Sequence, residues 1–424
     1  MALSSCPDNW MDVVLSDVLS PKGYIRGPFG SALKRNELLT SGIPVYEQQH
    51  AIYESRDFRF FISKEKYQSM KRFATQTDDL IISCSGTLGK ISIIRENDPM
   101  GIISQALLLL RVNKQIILPL YLKYFFSSKE GFNAIISRSS GSVQVNISKR
   151  ADIEQISIKL PPLSVQKRIV ANISALNQKI ELNTRMNKVL EEIARALFQR
   201  WFVAFEFPNA EGKPYKSAGG KMVESEMGMV PEGWKVSSLD QIADFLNGIA
   251  CQKYPPKEGE ENMPVIKIRE LRNGNLNEAD RVSRVVPEKY YVQNGDVLFS
   301  WSGSLMLDIW TSGEGVLNQH LFKVTSDTYQ KWFYYFWTKY HLEEFQNIAA
   351  DKATTMGHIQ RKHLNQAKVI VPNIDTLKRM DAVMSPIIAQ IIQNNLEVNT
   401  LSELRDGLLP KLMSGELDIG LMQC

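Results

Sequence analysis

Apolar positions divide the chain into two globular stretches and two long helices. In residues 161–205 the seam side chains recur at steps of three and four from Ile169 to Trp201, and in residues 372–424 they recur from Met380 to Leu412. Such spacing, sustained for about four and a half heptads, is typical of a coiled coil. The pattern therefore predicts two long helices, each about 60 Å in length at 1.5 Å per residue.

The stretches between the helices, residues 1–160 and 231–371, show a different pattern. Short β-branched runs bounded by turn residues predict strands. They lie at Ile91–Ile94, Leu107–Val112, Val265–Ile268 and Leu321–Val324, and aromatic helical segments lie at Leu120–Phe126 and Trp332–Tyr340. The mixture predicts α/β domains rather than β-sandwiches.

The two globular stretches are copies of one domain. Residues 78–88 (DDLIISCSGTL) match residues 295–305 (GDVLFSWSGSL), and residues 101–105 (GIISQ) match residues 315–319 (GVLNQ). The two helix registers superpose as well. The period is far longer than a solenoid repeat of about 20–50 residues, so the sequence predicts a duplicated domain.

Asn183 and Asn394 occupy the same seam position in the two helices. A polar residue in an apolar seam fixes register at a cost in stability. We therefore expect the helices to pack antiparallel around a pseudo-twofold centre that brings both asparagines together, and replacement of both by leucine to raise the melting temperature. Pro386 should kink or interrupt the second helix. Residues 206–230, rich in Gly, Lys, Glu and Ser, are typical of a flexible linker.

Composition excludes several classes of protein. No apolar run reaches the roughly 18 residues of a membrane span, and the N-terminus lacks the pattern of a secretory signal, which predicts a cytoplasmic protein. The four cysteines are far apart, and only His358 and His363 come close among the histidines, so we expect no metal site. The net charge of +4, with its basic excess in the first half, is weak support for a DNA partner.

Catalytic motifs are also missing. Residues 86–90 (GTLGK) lack the glycine spacing and the hydroxyl residue of a phosphate-binding loop. The tetrapeptide of amino-methyltransferases, Asn/Asp-Pro-Pro-Tyr/Phe, does not occur. Ser83–Gly86 and Ser300–Gly303 could hold nucleophiles, but no histidine accompanies both at matching offsets, so polar turns are the better interpretation. We expect a chain without its own catalysis.

Four features in a fixed order, all duplicated, resemble the specificity (S) subunits of type I restriction-modification enzymes. They are a Pro-x-x-Trp opening at Pro7 and Pro231, the Ser-x-Ser-Gly segments, a proline-containing strand end, and a long helix. Residues 160–169 (LPPLSVQKRI) resemble that family's junction between domain and helix, and residues 225–234 its connector. The second junction, residues 371–377, lacks the double proline and the glutamine, which should weaken its helix entry.

The resemblance implies an α/β fold with two target-recognition domains, residues 1–160 and 231–371, separated by antiparallel spacer helices at residues 161–205 and 372–424. Each domain would read one half of a split, asymmetric site in double-stranded DNA. Two methyltransferase (M) subunits that use S-adenosylmethionine, and nuclease-translocase (R) subunits that use ATP and Mg, would be the partners. The chain itself would bind no cofactor.

Sequence readout needs polar side chains at base edges, while Lys and Arg also neutralise phosphates. Polar loops at equivalent places in both copies are therefore the predicted DNA contacts. In the first domain they are Arg26, Lys34, Gln48, Gln49, His50, Thr87, Lys90, Arg138, Ser140, Ser142 and Gln144. In the second they are Lys253, Lys267, Arg269, Arg272, Ser302, Ser304, Lys352, Thr354, Thr355 and His358. Tyr46, Tyr53, Trp301 and Trp332–Trp337 could stack on a base, but core packing is the better interpretation.

Two other classes stay open at this point. A non-catalytic coiled-coil scaffold with two protein-binding modules would explain the heptads and the duplication, although not the family-like junctions. A free-standing DNA enzyme finds no supporting motif. Salt-dependent binding to bipartite DNA in the presence of the methyltransferase would separate the DNA reader from the scaffold.

Overall fold

The computed structural model describes residues 9–29, 32–137, 147, 149–351 and 357–417. The chain forms two compact units. Unit 1 comprises Met1–Gln178 and Ser402–Cys424, and unit 2 comprises Lys179–Leu401. None of the helices in the described ranges combines the length and apolar character that crossing a membrane requires.

Unit 1 mixes short strands and helices, as the sequence predicts. Its strands are β1 (Met11–Val14), β2 (Leu19–Arg26), β3 (Ile43–Tyr46), β4 (Phe61–Ile62), β5 (Leu80–Ser83), β6 (Ile91–Ile93), β7 (Ile102–Ile103), β8 (Leu107–Val112) and β9 (Ser157–Leu160). Its helices are α1 (Leu15–Val18), α2 (Gln48–Ile52), α3 (Lys64–Ser69), α4 (Pro119–Ser127), α5 (Lys129–Ile136) and α6 (Arg150–Glu154), followed by α7 (Leu163–Phe198), which continues into unit 2.

In its described residues, unit 2 repeats this order from the strand Lys235–Ser238 onward, with the strand Tyr291–Val292 in the place of α3. Its strands are β10 (Met222–Ser225), β11 (Gly228–Pro231), β12 (Lys235–Ser238), β13 (Asp244–Asn247), β14 (Asn262–Ile266), β15 (Arg281–Ser283), β16 (Tyr291–Val292), β17 (Val297–Ser300), β18 (Leu307–Ile309), β19 (Gly315–Leu317), β20 (Leu321–Thr325) and β21 (Lys368–Val371). Its helices are α8 (Leu239–Ile242), α9 (Ile268–Asn273), α10 (Lys331–Tyr340), α11 (Leu342–Asp351) and α12 (Arg361–Gln366), and α13 (Ile374–Ser414) returns to unit 1.

Strand pairing confirms the duplication. The four-stranded sheet β2-β8-β5-β6 of unit 1 corresponds to β13-β20-β17-β18 of unit 2, and the pair β1-β9 corresponds to β12-β21. A smaller sheet contains one parallel pair in each unit, β3 with β7 and β14 with β19. Unit 2 adds β16 at the edge of this sheet. The two domains are therefore the same α/β fold.

The long helices pair antiparallel within each unit. In unit 1, Ile169 and Ile173 near the start of α7 share a core with Leu409 and Leu412 near the end of α13. In unit 2, Ala194 and Phe198 from the later part of α7 share a core with Met380 and Met384 from the start of α13. All ten seam positions predicted in each helix are buried or half-buried, because the three-and-four spacing turns one face toward the partner helix.

The two seam asparagines are both buried but do not pair with each other as expected. Asn183 Nδ2 donates a hydrogen bond to Glu397 Oε2 (2.7 Å), and Asn394 Nδ2 donates to Asn187 Oδ1 (2.8 Å). Each amide therefore meets the opposite helix one turn away from the equivalent asparagine. The amide of Asn187 also donates to Asn395 Oδ1 (2.7 Å). The expected pair is thus a staggered polar layer.

Pro386 does not interrupt α13, which was one of the two predicted effects, since the helix runs unbroken from Ile374 to Ser414. A proline removes the hydrogen bond to the carbonyl four residues earlier, which here belongs to Ala382. Pro386 and Ala382 are both exposed. The Ala382 carbonyl can therefore bond to water, which lowers the cost of the proline at this place.

The helix entries and the connector also differ from expectation. Asn373 Oδ1 accepts from Thr376 N (3.0 Å) and caps α13, so the second entry compensates for its missing glutamine. Residues 206–230, predicted to be a flexible linker, contain the antiparallel hairpin β10–β11. Phe207 stacks on Tyr215 and Trp234, with ring centroids 4.6 and 4.7 Å apart. The aromatic residues give this segment a core that its Gly-rich and charged composition conceals.

Candidate nucleic-acid interface

Polar side chains gather where four strands of unit 1 end. We call this surface loop edge 1, and it consists of Arg26–Pro28, Gln48–Gln49, Ser85–Thr87 and Ser104–Gln105. The segments are joined by hydrogen bonds. Gln48 Nε2 donates to the Ser85 carbonyl, and Ser104 N donates to the Tyr46 carbonyl (2.8 Å). Loops after β2, β3, β5 and β7 thus form one surface.

Unit 2 builds the equivalent surface from the equivalent strands. Loop edge 2 consists of Asn247–Ile249, Lys267–Arg269, Trp301–Ser304 and Asn318–His320. Asn318 N donates to the Ile266 carbonyl (3.1 Å), as Ser104 N does to Tyr46. His358 adjoins this edge, since its ring centroid lies 6.2 Å from that of Trp301.

One glycine in each loop edge lets two backbone segments meet. Gly27 N donates to the Leu107 carbonyl (2.9 Å) and Gly248 N to the Leu321 carbonyl (3.0 Å). A Cβ on Gly27 would lie 1.9 Å from Ser104 O, and one on Gly248 would lie 2.2 Å from Asn318 O. No other residue type fits this close approach, so both copies keep a glycine here.

The repeated Ser-x-Ser-Gly motif is a turn in both units, as the sequence indicates. The hydroxyl of Ser83 accepts from Lys90 N (3.0 Å), and that of Ser300 accepts from Met306 N (2.8 Å). Gly86 and Gly303 adopt φ angles of +65° and +66°, which favour glycine. The motif therefore shapes the loop between two strands, and its first serine is occupied by that task.

An aspartate lies four residues before each Ser-x-Ser-Gly motif, at the other end of the strand that leads into the turn, and it stabilises the sheet. Asp79 Oδ2 accepts from Gln76 N (2.7 Å), and both of its carboxylate oxygens accept from Arg111 (2.7 and 2.8 Å). Asp296 does the same in unit 2, accepting from Gln293 N (2.9 Å) beside Lys323 Nζ (3.5 Å). The most visible signals of the duplication are thus residues that build the fold.

His50, predicted to contact DNA, is a buried helix cap. Its Nδ1 accepts from Glu47 N (2.6 Å), and its Nε2 lies 3.2 Å from the Asp57 carbonyl. Burial lowers the pKa of His50 below the usual 6.5, so the ring is held neutral. Glu270 performs the equivalent task in unit 2, where its side chain accepts from Lys267 N (3.1 Å). This is a correction to the predicted interface.

Several other predicted contacts already have partners within the chain. Lys267 forms an ion pair with Asp280, and Arg269 Nε donates to the buried Glu270 carboxylate (2.8 Å). Ser302 is buried, and a hydrogen bond of 2.9 Å joins its hydroxyl to His320 Nδ1. These residues would have to exchange partners before contacting DNA.

The remaining predicted residues fall into three groups. Arg26, Gln48, Gln49, Thr87 and Ser304 lie on the loop edges. Four exposed cations lie on nearby segments, namely Lys34, Lys90, Lys253 and Arg272. The predictions that lie outside the described residues are Arg138, Ser140, Ser142, Gln144, Lys352, Thr354 and Thr355.

Sequence reasoning missed seven polar residues of the loop edges, which are Ser85, Ser104, Gln105, Asn247, Asn318, Gln319 and His320. The matched stretches GIISQ and GVLNQ contain both glutamines and could have identified them. Asn247 and His320 have no such signal. Asn247 Oδ1 accepts from the indole nitrogen of Trp301 (2.9 Å), a contact between residues 54 positions apart.

The aromatic residues pack in the core with one exception. Tyr46 and Trp332–Trp337 are buried, and the half-buried Trp301 lies against Phe322 with ring centroids 5.9 Å apart. Tyr53 is instead 77% exposed, which corrects the expected core packing. Burial raises the pKa of the Cys84 thiol to about 12 although the charge of Arg26 opposes the shift. Arg26 and Ile82 both pair with Leu108, so Arg26 lies across β8 from the strand that leads to this turn. The described residues include no cluster of three or more His, Cys, Asp or Glu suited to a metal ion.

Comparison with known proteins identifies the duplicated domain. The family model of the type I restriction modification DNA specificity domain matches residues 7–192 and 231–401, which contain the two copies. The chain is 23% identical to the type I restriction enzyme MjaIX specificity subunit of Methanocaldococcus jannaschii, over 70% of this chain and 69% of that one. It is 24% identical to the HindI specificity subunit of Haemophilus influenzae, over 74% and 81%.

A solved structure shares the fold. The S subunit of a type I restriction-modification system from M. genitalium superposes with a TM-score of 0.62 at 12% identity, covering 97% of this chain and 98% of that one. The matches support the DNA-specificity interpretation and not the protein-binding scaffold.

Proposed function

This chain belongs to the family of type I restriction-modification DNA specificity proteins, and we propose that it selects a bipartite DNA site by reading one half-site with each loop edge. The observation that carries the proposal is the equivalence of the two edges. The same strands, glycines and turns build both, while side chains at several equivalent positions differ, such as Arg26 and Asn247. A shared backbone with different polar groups is what reading two unlike half-sites requires, because hydrogen bonds to base edges specify sequence.

We infer that the helix pair sets the gap between the half-sites. α7 and α13 each pass through both units and pair antiparallel within each. Half-sites on one face of B-DNA recur about every 34 Å, so two readers need a spacer of fixed length. Buried amides such as Asn183 and Asn394 favour one register over shifted ones.

We propose that α7 contributes to binding the methyltransferase subunits. Leu182, Met186, Val189 and Ile193 recur at steps of four, three and four and are all exposed. Such spacing places them on one face of the helix, next to the buried seam. A contiguous exposed apolar face is typical of a protein-binding surface, and a partner that also contacts DNA would bring further basic residues.

The other parts of the proposal concern the complex. The chain would supply recognition without catalysis, in the cytoplasm, where its target DNA lies. The methyltransferase subunits would use S-adenosylmethionine to modify adenine, and nuclease-translocase subunits would use ATP and Mg for cleavage.

The test is base-resolution adenine methylation of a genome that carries the neighbouring methyltransferase, with this chain expressed or deleted. We expect a split motif that is methylated only when the chain is present. An active methyltransferase with no motif dependent on this chain would contradict the proposal.

A further inference from the structure

The residue that precedes the edge glycine occupies the same place in both units. Arg26 is the last residue of β2 and pairs with Leu108, and Asn247 is the last residue of β13 and pairs with Phe322. The glycine that follows each is fixed between two backbone segments, by its hydrogen bond and by the lack of room for a Cβ. The backbone therefore holds both side chains at equivalent positions of the two loop edges.

The turn residue associated with each side chain occupies the same place in the two units. Its size is small where the edge side chain is long, and large where the edge side chain is short. Arg26 and Ile82 both pair with Leu108, so Arg26 lies across β8 from the strand that leads to Cys84. Asn247 accepts a hydrogen bond from Trp301, which is the matching residue of the other Ser-x-Ser-Gly turn. A long side chain thus accompanies a small neighbour in unit 1, and a short side chain accompanies a large one in unit 2. The two combinations therefore present a different polar group at the same position.

Arg26 has donors without acceptors. Its Nη1 is buried and makes no hydrogen bond, and within the described ranges no carboxylate forms an ion pair with the guanidinium. Buried polar groups are normally paired, so an orphaned one calls for a reason. Arg26 as a whole is only half-buried, so a rotation of its side chain toward the surface where DNA is proposed to bind would let an acceptor from outside the chain pair with that donor.

Asn247 is held in one orientation. Its Oδ1 accepts from Trp301 Nε1 (2.9 Å), and that indole nitrogen also lies 3.1 Å from the Gln319 carbonyl. The amide oxygen can accept a second hydrogen bond, and the Nδ2 group carries two N–H donors. The indole therefore sets which end of the amide is the acceptor and leaves both ends able to bind a base.

We propose that this shared position reads one base in each half-site, with Arg26 selecting guanine and Asn247 selecting adenine. The inference rests on the proposed function. In the major groove an arginine fork matches the two acceptors O6 and N7 of guanine, and an asparagine amide matches N6 and N7 of adenine. Trp301 acts on Asn247 as a positioning residue.

The test uses the complex of this chain with its methyltransferase. Methylation rates are measured on duplexes of the recognised site in which each base pair is changed to the other three in turn. Arg26→Ala should reduce the preference for guanine at one position by roughly 5- to 150-fold and leave the other half-site unaltered. Asn247→Ala should do the same for adenine in the other half-site.

Two further variants separate reading from structure. Trp301→Phe keeps an aromatic ring but removes the indole N–H, and should relax the same single position as Asn247→Ala. Arg72→Ala removes an exposed arginine of unit 1 from the turn Lys71–Phe73 and should change no base preference. Full discrimination in the unchanged half-site shows in each case that the complex is folded.

Three results would overturn the proposal. Arg26→Ala could slow methylation of every duplex equally, which would make Arg26 a phosphate contact. The position at which Arg26→Ala relaxes the base preference could be one that requires a base other than guanine. Alternatively, Arg26→Ala could relax the base preference in both half-sites. Failure of the proposed function is separate and is seen with the unsubstituted chain, as the absence of any motif dependent on it.

Discussion

The two seam asparagines are equivalent by duplication, yet their replacement should have unequal effects on stability. Asn394 Nδ2 donates to Asn187 Oδ1, and Asn394 Oδ1 accepts from Gln390 (2.7 Å). In Asn394→Ala the buried oxygen of Asn187 loses that donor. Asn183 differs, because its own Oδ1 is buried without a hydrogen bond.

The magnitudes follow from these contacts. A buried acceptor without a partner costs about 1–3 kcal/mol, and alanine returns roughly 0.5 kcal/mol of helix propensity, so Asn394→Ala should lower the free energy of unfolding by about 2 kcal/mol. Asn183→Ala removes the unpaired oxygen, a gain of about 1–3 kcal/mol. The variant also loses the hydrogen bond from Asn183 to Glu397, but the Glu397 carboxylate retains its ion pair with Lys179 Nζ at 3.2 Å. The two changes should cancel to within about 1 kcal/mol.

Urea unfolding followed by tryptophan fluorescence measures the difference. Of the seven tryptophans, only Trp10 lies outside unit 2, so the signal reports the unit that contains both asparagines. With an m-value of about 3 kcal/mol/M, a loss of about 2 kcal/mol lowers the midpoint by roughly 0.7 M. Equal losses for the two variants, or a larger loss for Asn183→Ala, would refute the reasoning. The hydrogen bonds of Asn394 oppose the predicted rise in melting temperature with leucine at both positions, and the same unfolding experiment on that double variant tests it.

Three further outcomes are expected. Asp79→Ala should lower the free energy of unfolding by about 3 kcal/mol, because the carboxylate is 1% exposed and both of its oxygens accept from Arg111. Asp296→Ala should cost about 1 kcal/mol, because that carboxylate is 26% exposed and lies 3.5 Å from Lys323 Nζ. Equal losses in urea unfolding would count against this. Burial depresses the pKa of His50 below 6.5, so its contribution to stability is complete above pH 6.5 and is lost as the pH falls below that value. His50→Gln keeps a capping side chain and should flatten the dependence of the urea midpoint on pH between about pH 7.5 and 5.5. An unchanged slope would contradict the role of His50 as a neutral helix cap. Val189→Asp should weaken co-purification of the methyltransferase at least tenfold without lowering the melting temperature, while the neighbouring Lys188→Ser should not, and equal retention by both variants would exclude the apolar face as a docking surface.

Periodicity and duplication were enough to predict the fold class. The three-and-four spacing located both long helices, since a heptad pattern has one structural solution over such a length. The matched stretches around Ser83 and Ser300 located a shared turn. The parallel pairing of β3 with β7 was not predictable, because it involves only two residue pairs and nothing in their sequence indicates which strands are neighbours.

The candidate site was predicted less completely than the fold. Residues that recur in both copies, such as Asp79 and Asp296, support the domain and are therefore easy to find. Residues that would read unlike half-sites must differ between the copies, so comparing them cannot reveal a pair such as Arg26 and Asn247. His50 shows the opposite error, since a polar residue that looks available to bind DNA can instead cap a helix. Only the spatial equivalence of the two loop edges distinguishes these cases.

The central claim is that each unit reads its own half of the DNA site. The most direct measurement replaces residues 231–371 with the matching domain of a relative that recognises a different sequence, and records adenine methylation at base resolution. The account predicts that one half of the motif changes to that of the donor, while the other half and the gap stay the same. A motif that changes in both halves, or in neither while methylation persists, would contradict it.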